Sequence, residues 1–158
     1  MPNDIKIVSH TQEAVDAKDE AIERAMVNIG IKMEKYAKAS CPTGSPETTG
    51  IKGYIGGTLK NSITYVTATH PGGTISVEEG KASPTKPMHG GKKETASTDE
   101  KEVVYVGTNV FYAPYVEFGF TSKKGRKKEP RPFIKPALKD HMALYDHIMR
   151  NELKKVKV

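Results

Sequence analysis

The residues of this chain that are able to do chemistry at neutral pH are a single cysteine, Cys41, and a few histidines. Cys41 directly follows a predicted helix, whose C-terminal end raises the pKa of a thiol and disfavours the reactive thiolate. Among the histidines His70, His89, His141 and His147, the last two lie six residues apart, which does not place them on one helix face. There is no Cys-x-x-Cys or His-x-x-x-His motif. We therefore expect no metal site, no cofactor, and a Cys41 that is a small, partly buried apolar residue.

The serines and glycines also lack the spacing of known catalytic motifs. No serine lies in a Gly-x-Ser-x-Gly elbow, and Gly53, Gly56 and Gly57 are not followed by the Gly-Lys-Ser/Thr of a phosphate loop. The sequence therefore predicts a protein that is not an enzyme. A hydrolase built around Cys41 is the least favoured alternative, and an active Cys41→Ala variant would dismiss it.

A basic segment between residues 121 and 131 is the strongest charge feature. Residues 111–158 carry 12 basic and five acidic side chains, a net +7, in a chain whose total is +6. Such an excess of positive charge attracts acidic partners or nucleic acid, although a run of charged residues is often only a solvated surface. The segment has no interleaved aromatic residue, so it predicts non-specific rather than sequence-specific DNA contact. The candidate DNA or acidic-partner contacts are Lys123, Lys124, Arg126, Lys127, Lys128 and Arg131.

An aromatic turn precedes the basic segment. Aromatic clusters usually belong to a hydrophobic core, but tyrosine is also favoured on surfaces that a partner covers. Glu117 is a carboxylate among apolar neighbours, which predicts a compensating cation, either Arg131 or an arginine of a neighbouring subunit. The candidate subunit or partner interface consists of Tyr112, Tyr115, Glu117, Phe118, Phe133 and Ile134, and Phe111 belongs to the same turn.

Two long helices are predicted to frame these residues. Ser9 and Gln12 have the spacing of a capping box, and apolar residues recur at helical intervals from there to about Ala39. The final helix is predicted to begin near Pro132–Pro136 and to continue through Leu153. Gly30 is expected to weaken the first helix by about 1 kcal/mol relative to alanine.

Short strands are predicted between the two helices. Residues 61–69 and 74–78, separated by a Pro-Gly-Gly turn, predict a β-hairpin, and residues 103–107 predict a third strand. Residues 109–118 predict an irregular or briefly helical turn with Pro114 at the first helical position. The order of elements predicts an α+β fold, in which a small antiparallel β-sheet packs against a long N-terminal helix and a C-terminal helix.

Length and composition predict one domain spanning residues 1–158. The hydrophobic fraction is 36%, low for a globular chain, because segments at about 41–58, 80–101 and 121–131 are polar loops that we expect to be mobile. One cysteine fits a reducing compartment. The sequence has neither an apolar run of about 18 residues nor a basic-then-apolar leader, so we expect a soluble, unexported protein.

Three sequence blocks stand out in the second half of the chain: Val104-Tyr-Val-Gly-Thr108, Tyr112-Ala-Pro-Tyr-Val-Glu-Phe-Gly119 and Pro132-Phe-Ile-Lys-Pro-Ala-Leu138. Upstream of them lie Pro42-Thr43-Gly44, Leu59, Ser62 and Ile63. Together they resemble a family of bacteriophage tail components encoded in the head–tail joining module of long-tailed phages. The likeness covers most of residues 10–155. Two departures are an apparent insertion of about a dozen residues between Gly44 and Leu59 and an expanded connection at 80–101.

The resemblance implies a virion structural protein, a tail-completion or tail-terminator subunit without cofactor. It implies a homo-oligomeric ring, expected to be a hexamer, that meets the tail tube protein and the head connector or stopper protein at the head–tail junction, with assembly in the host bacterial cytoplasm and DNA passing nearby. On this interpretation Glu117→Ala should weaken assembly more than it alters the fold of the monomer. The alternative is a DNA-binding accessory protein that uses the basic loop of residues 123–131.

Overall fold

The computed structural model describes residues 11–44, 56–71, 98–110 and 112–156. Helix α1 spans Thr11–Ser40, α2 Thr58–Ser62, α3 Ala113–Phe118, α4 Ile134–Lys139 and α5 Met142–Lys154. Strand β1 (Thr64–Val66) pairs with β2 (Tyr105–Gly107), and β3 (Phe120–Thr121) pairs with β4 (Lys127–Lys128), both antiparallel. The predicted α+β fold, with a long N-terminal helix, a C-terminal helix and small antiparallel sheets, is confirmed.

Helix α1 is the element against which the others pack. Small residues on one face (Ala21, Ala25 and Ala37) are fully buried, so that α4, α5 and the β1–β2 ladder approach α1 closely. At Gly30 a Cβ would lie 2.5 Å from Cδ2 of the Tyr65 ring, which makes this glycine a site of close helix–sheet approach. Val15, which the periodicity placed on the same face, is 45% exposed.

Polar contacts fix the position of α1 relative to its neighbours. Glu34 on α1 accepts a hydrogen bond from the backbone N–H of Tyr65 (3.2 Å), which attaches β1 to the helix. Glu152 on α5 lies 3.6 Å from Arg24 of α1 and 2.7 Å from Lys155. These contacts lower the pKa of Glu152, the Lys155 hydrogen bond being the largest cause. The carboxylate is buried between the two helices, where an unpaired charge would be costly.

The core lies under the segment that carries the aromatic turn. Phe133 and Ile63 are each 1% exposed, and both belong to one cluster with residues of α1, α3 and α4. Burial of a phenylalanine side chain of this kind stabilises a fold by about 1.5–3 kcal/mol. The cluster contains Met33, Ala37, Cys41, Leu59, Ile63, Val110, Ala113, Phe133, Ala137 and Tyr145.

The structure corrects two of the predicted segments. The predicted strand 61–69 begins instead as helix α2, where Gly57 has a φ of 99° and its carbonyl accepts from Asn61 N–H. Strand β1 pairs with β2, and the predicted hairpin strand 74–78 and the cap residue Ser9 lie outside the described residues. The expected loop at 121–131 contains the β3–β4 hairpin.

The single final helix predicted from the sequence is two helices, α4 and α5, separated at Asp140 and His141. The Tyr145 hydroxyl donates to the Ala137 carbonyl at 2.6 Å, which satisfies a carbonyl that the break leaves open. The His141 ring stacks on Tyr36 of α1, with 3.6 Å between ring centroids. Contacts with α1 and across the break, rather than a proline or glycine, therefore separate the two helices.

Candidate functional site

A groove of about 820 Å³ lies between helix α3 and the β3–β4 hairpin. Aromatic and basic side chains line it together, and two of the lining residues, Tyr112 and Val116, are also partly buried against the core. We call this cavity the α3–hairpin groove. Its lining residues are Tyr112, Tyr115, Val116, Phe120, Thr121, Ser122, Lys123, Lys128, Glu129 and Arg131.

Glu117 of helix α3 caps the N-terminus of helix α4, which follows the groove in the chain. Its carboxylate accepts hydrogen bonds from the backbone N–H groups of Phe133 (2.7 Å), Ile134 (3.1 Å) and Lys135 (2.9 Å). These are donors that the start of helix α4 would otherwise leave unsatisfied. The expectation that Arg131 compensates Glu117 is therefore wrong, because backbone amides of its own chain do so; the alternative, an arginine of a neighbouring subunit, stays a prediction. Arg131 is tied to the same helix differently, through its N–H to the Val116 carbonyl at 2.8 Å.

Three aromatic side chains near the groove are exposed. Phe118 is 74% exposed, Tyr115 54% and Phe120 42%. Tyr115 and Phe120 touch edge to face, with ring centroids 5.5 Å apart, so they form one apolar wall of the groove. Exposed aromatic rings grouped in this way are typical of surfaces that bind a partner.

The basic residues divide into groove-lining and outward-facing groups. Lys123, Lys128 and Arg131 line the groove, and no carboxylate of the described residues lies within ion-pair distance of them. Lys127 instead pairs with Glu129 at 3.3 Å, and Lys124 and Arg126 are exposed around the turn at Gly125. Three cations thus face a cavity whose wall is aromatic.

The proposed interface residues occupy different environments. Tyr112 and Tyr115 line the groove, and Phe118 is exposed beside it. Phe133 is 1% exposed and belongs to the core, so its prediction as an interface residue is wrong. Ile134 is partly buried against the same core, and Phe111 lies outside the described residues.

Sequence reasoning missed the contact between the aromatic turn and the basic segment. The segment has no aromatic residue of its own, but the hairpin places Lys128 opposite Phe120, beside Tyr115. The other groove residues that were not singled out are Val116, Phe120, Thr121, Ser122 and Glu129. Gly125, with a φ of 74°, is the one local signal of the turn that causes this folding back.

Cys41 and the histidines in the described part of the chain, which were first considered for chemistry, make contacts that belong to the fold. Burial raises the pKa of the Cys41 thiol from 9.0 to about 11, which disfavours the thiolate. The His70 ring stacks on Tyr65, and His147 hydrogen-bonds Asn151 at 2.9 Å. Over residues 11–44, 56–71, 98–110 and 112–156, no group of three potential metal ligands is found; His89 lies outside these ranges. Nor is any helix in this part of the chain long and apolar enough to cross a membrane.

Comparisons with known proteins give no match. No family model, no curated protein and no solved structure resembles this chain closely enough to be informative. A functional conclusion therefore depends on the residues of the chain and their geometry.

Proposed function

We propose that this chain is a virion structural protein of the phage head–tail interface, a tail-completion or terminator subunit. It acts by forming a homo-oligomeric ring and by docking to the tail tube and the head connector. The observation that carries the proposal is the exposed aromatic and basic surface around the α3–hairpin groove. The second resembling block supplies its helix α3 side, and the hairpin between the second and third blocks supplies the basic side.

The resembling blocks form one physical unit, which supports treating them as a motif. Glu117 of the second block caps the helix that the third block begins. Gly119 of the second block has a φ of 71°, and a Cβ there would lie 2.6 Å from the Lys128 carbonyl oxygen. The glycine is therefore required by the turn that leads from α3 into the hairpin. Residues matched separately along the sequence thus depend on one another in the fold.

The exposed aromatic residues supply the association energy that a ring requires. A ring forms when two different patches of one subunit are complementary, and buried aromatic residues dominate such contacts. Phe118 is 74% exposed, and covering a side chain of this size contributes about 1.5–3 kcal/mol per copy. Its exposure in the subunit is consistent with a surface that another copy covers.

The test is the mass of the purified protein in solution, with imaging of the particles. We expect a closed ring, six-membered by the family resemblance, that Phe118→Ser breaks into smaller species while the melting temperature stays unchanged. Met142→Ser is the matched control, because Met142 is 62% exposed on helix α5, away from the groove. A wild-type protein that stays monomeric at every soluble concentration would refute the proposal.

The groove itself favours a second candidate function, non-specific DNA binding. Surfaces that bind single-stranded nucleic acid usually combine aromatic rings, on which bases stack, with lysine and arginine residues that contact the phosphates. If Lys123, Lys128 and Arg131 each met a phosphate, affinity for a single strand would fall roughly twentyfold between 50 and 200 mM salt. A salt titration with oligothymidylate decides between the candidates, since the ring proposal predicts no measurable binding.

A further inference from the structure

We infer that the α3–hairpin groove is the receiving half of the contact between subunits, and that the acidic first turns of helix α1 of a second copy occupy it. The inference rests on the proposed ring and names its two complementary patches. The α1 patch is the flank of the helix that carries Val15, Asp16 and Asp19.

The charges of the two patches are complementary. Residues 11–20 carry Glu13, Asp16, Asp19 and Glu20 against one lysine, a net charge of −3. The groove presents Lys123, Lys128 and Arg131, for which the described part of the chain provides no ion-pair partner. Two complementary patches on one subunit generate a head-to-tail contact, which is the kind of contact that a cyclic ring requires.

The apolar features of the two patches also match. Val15 is 45% exposed, and Asp19 lies four residues later, so a carboxylate adjoins an apolar side chain on that flank. The groove pairs an aromatic wall, Tyr115 and Phe120, with cations on the hairpin. An exposed valine with the carboxylate of Asp19 one turn away fits an aromatic wall with lysines beside it.

The size of the groove limits what can enter. One turn of helix with its side chains is about 5.4 Å long and 10–12 Å wide, which is roughly 500 Å³. The groove, at about 820 Å³, therefore accepts between one and two turns rather than a whole helix.

Paired charge reversals test this assignment. One variant carries Asp16→Lys and Asp19→Lys, and a second carries Lys123→Glu and Lys128→Glu. Each alone is expected to weaken assembly by about tenfold or more, because like charges then face each other across the contact. Mixed in equal amounts the two variants should assemble again, because each reversed patch meets its complement, and they should alternate around an even-numbered ring.

The control for the groove variant carries Lys139→Glu and Lys154→Glu, which lower the net charge by the same amount as Lys123→Glu with Lys128→Glu, at exposed sites away from the groove. It should assemble like the wild-type protein. Either reversed variant assembling normally, or a mixture that stays dissociated, overturns the inference while leaving the ring in place. So does a Lys123→Glu, Lys128→Glu variant that assembles normally but loses oligothymidylate binding, since the groove would then serve nucleic acid. A monomeric wild-type protein instead removes the proposed function itself.

Discussion

Replacing Glu117 by alanine removes the acceptor of three backbone N–H groups at the start of helix α4. The Phe133 amide belongs to a residue that is 1% exposed, so water replaces this hydrogen bond poorly. A buried donor without a partner costs about 1–3 kcal/mol, and loss of a helix cap about 0.5–2 kcal/mol. Lys135 is exposed, and its amide recovers a bond to water. We therefore expect Glu117→Ala to destabilise the monomer by about 2–4 kcal/mol.

The assay is reversible thermal or urea unfolding of the subunit under conditions where it is dissociated. For a domain of this size the expected loss lowers the melting temperature by roughly 5–15 °C. Glu117→Gln retains one acceptor oxygen without the charge and should lose about half as much. Glu129→Ala is the matched control: its carboxylate is 73% exposed and pairs with Lys127, so its removal should change stability by less than about 0.5 kcal/mol.

A Glu117→Ala protein with the same unfolding midpoint as the Glu129→Ala control would refute the role of Glu117 as a helix cap. That result would mean that the three hydrogen bonds to Glu117 contribute no stability. The carboxylate would then be available to bind a partner, as the sequence suggested. The sequence alone predicted a larger effect on assembly than on the fold. The three hydrogen bonds reverse that order.

Two further predictions concern the core. Gly30→Ala should lower stability by about 1–3 kcal/mol in urea unfolding despite its better helix propensity, because the added methyl meets the buried Tyr65 ring; a stabilised variant would contradict the close approach. Because burial raises the pKa of the Cys41 thiol, the unfolded protein ionises at a lower pH than the folded protein. The free energy of unfolding is therefore unaffected by this thiol below pH 9.0 and falls as the pH rises from 9.0 to about 11. Over that interval the wild-type protein should lose roughly 2–3 kcal/mol more unfolding free energy than the Cys41→Ala variant. Unfolding free energies of the two proteins that fall in parallel with pH would contradict this prediction.

The long helix was predictable because its signal is local. Apolar residues at helical spacing fix both its extent and its buried face, and the structure has it at Thr11–Ser40. The division of the final helix was not predictable, since residues 134–154 keep the helical pattern without interruption. The contacts that support the break, from Tyr145 to Ala137 and from His141 to Tyr36, join residues that a local pattern does not connect.

The candidate site was predictable in part of its residues but not in its arrangement. Composition identified the aromatic turn and the basic segment as separate features. Their meeting depends on a hairpin whose strands are only two residues each, too short for an alternating pattern. Glu117 reaches amides 16 to 18 residues away, a distance at which no capping motif is recognised from sequence.

Helix α3 shows how one short segment serves the fold and a partner surface at once. Ala113 and Val116 face the core, and Glu117 caps the next helix, whereas Tyr115 and Phe118 are exposed. Since neighbouring positions of a helix lie on different faces, the surface aromatics can change without disturbing the cap. Assembly and stability should therefore respond to different substitutions within the same six residues. A subunit whose stability fell with every substitution in α3 would instead use the helix for folding alone.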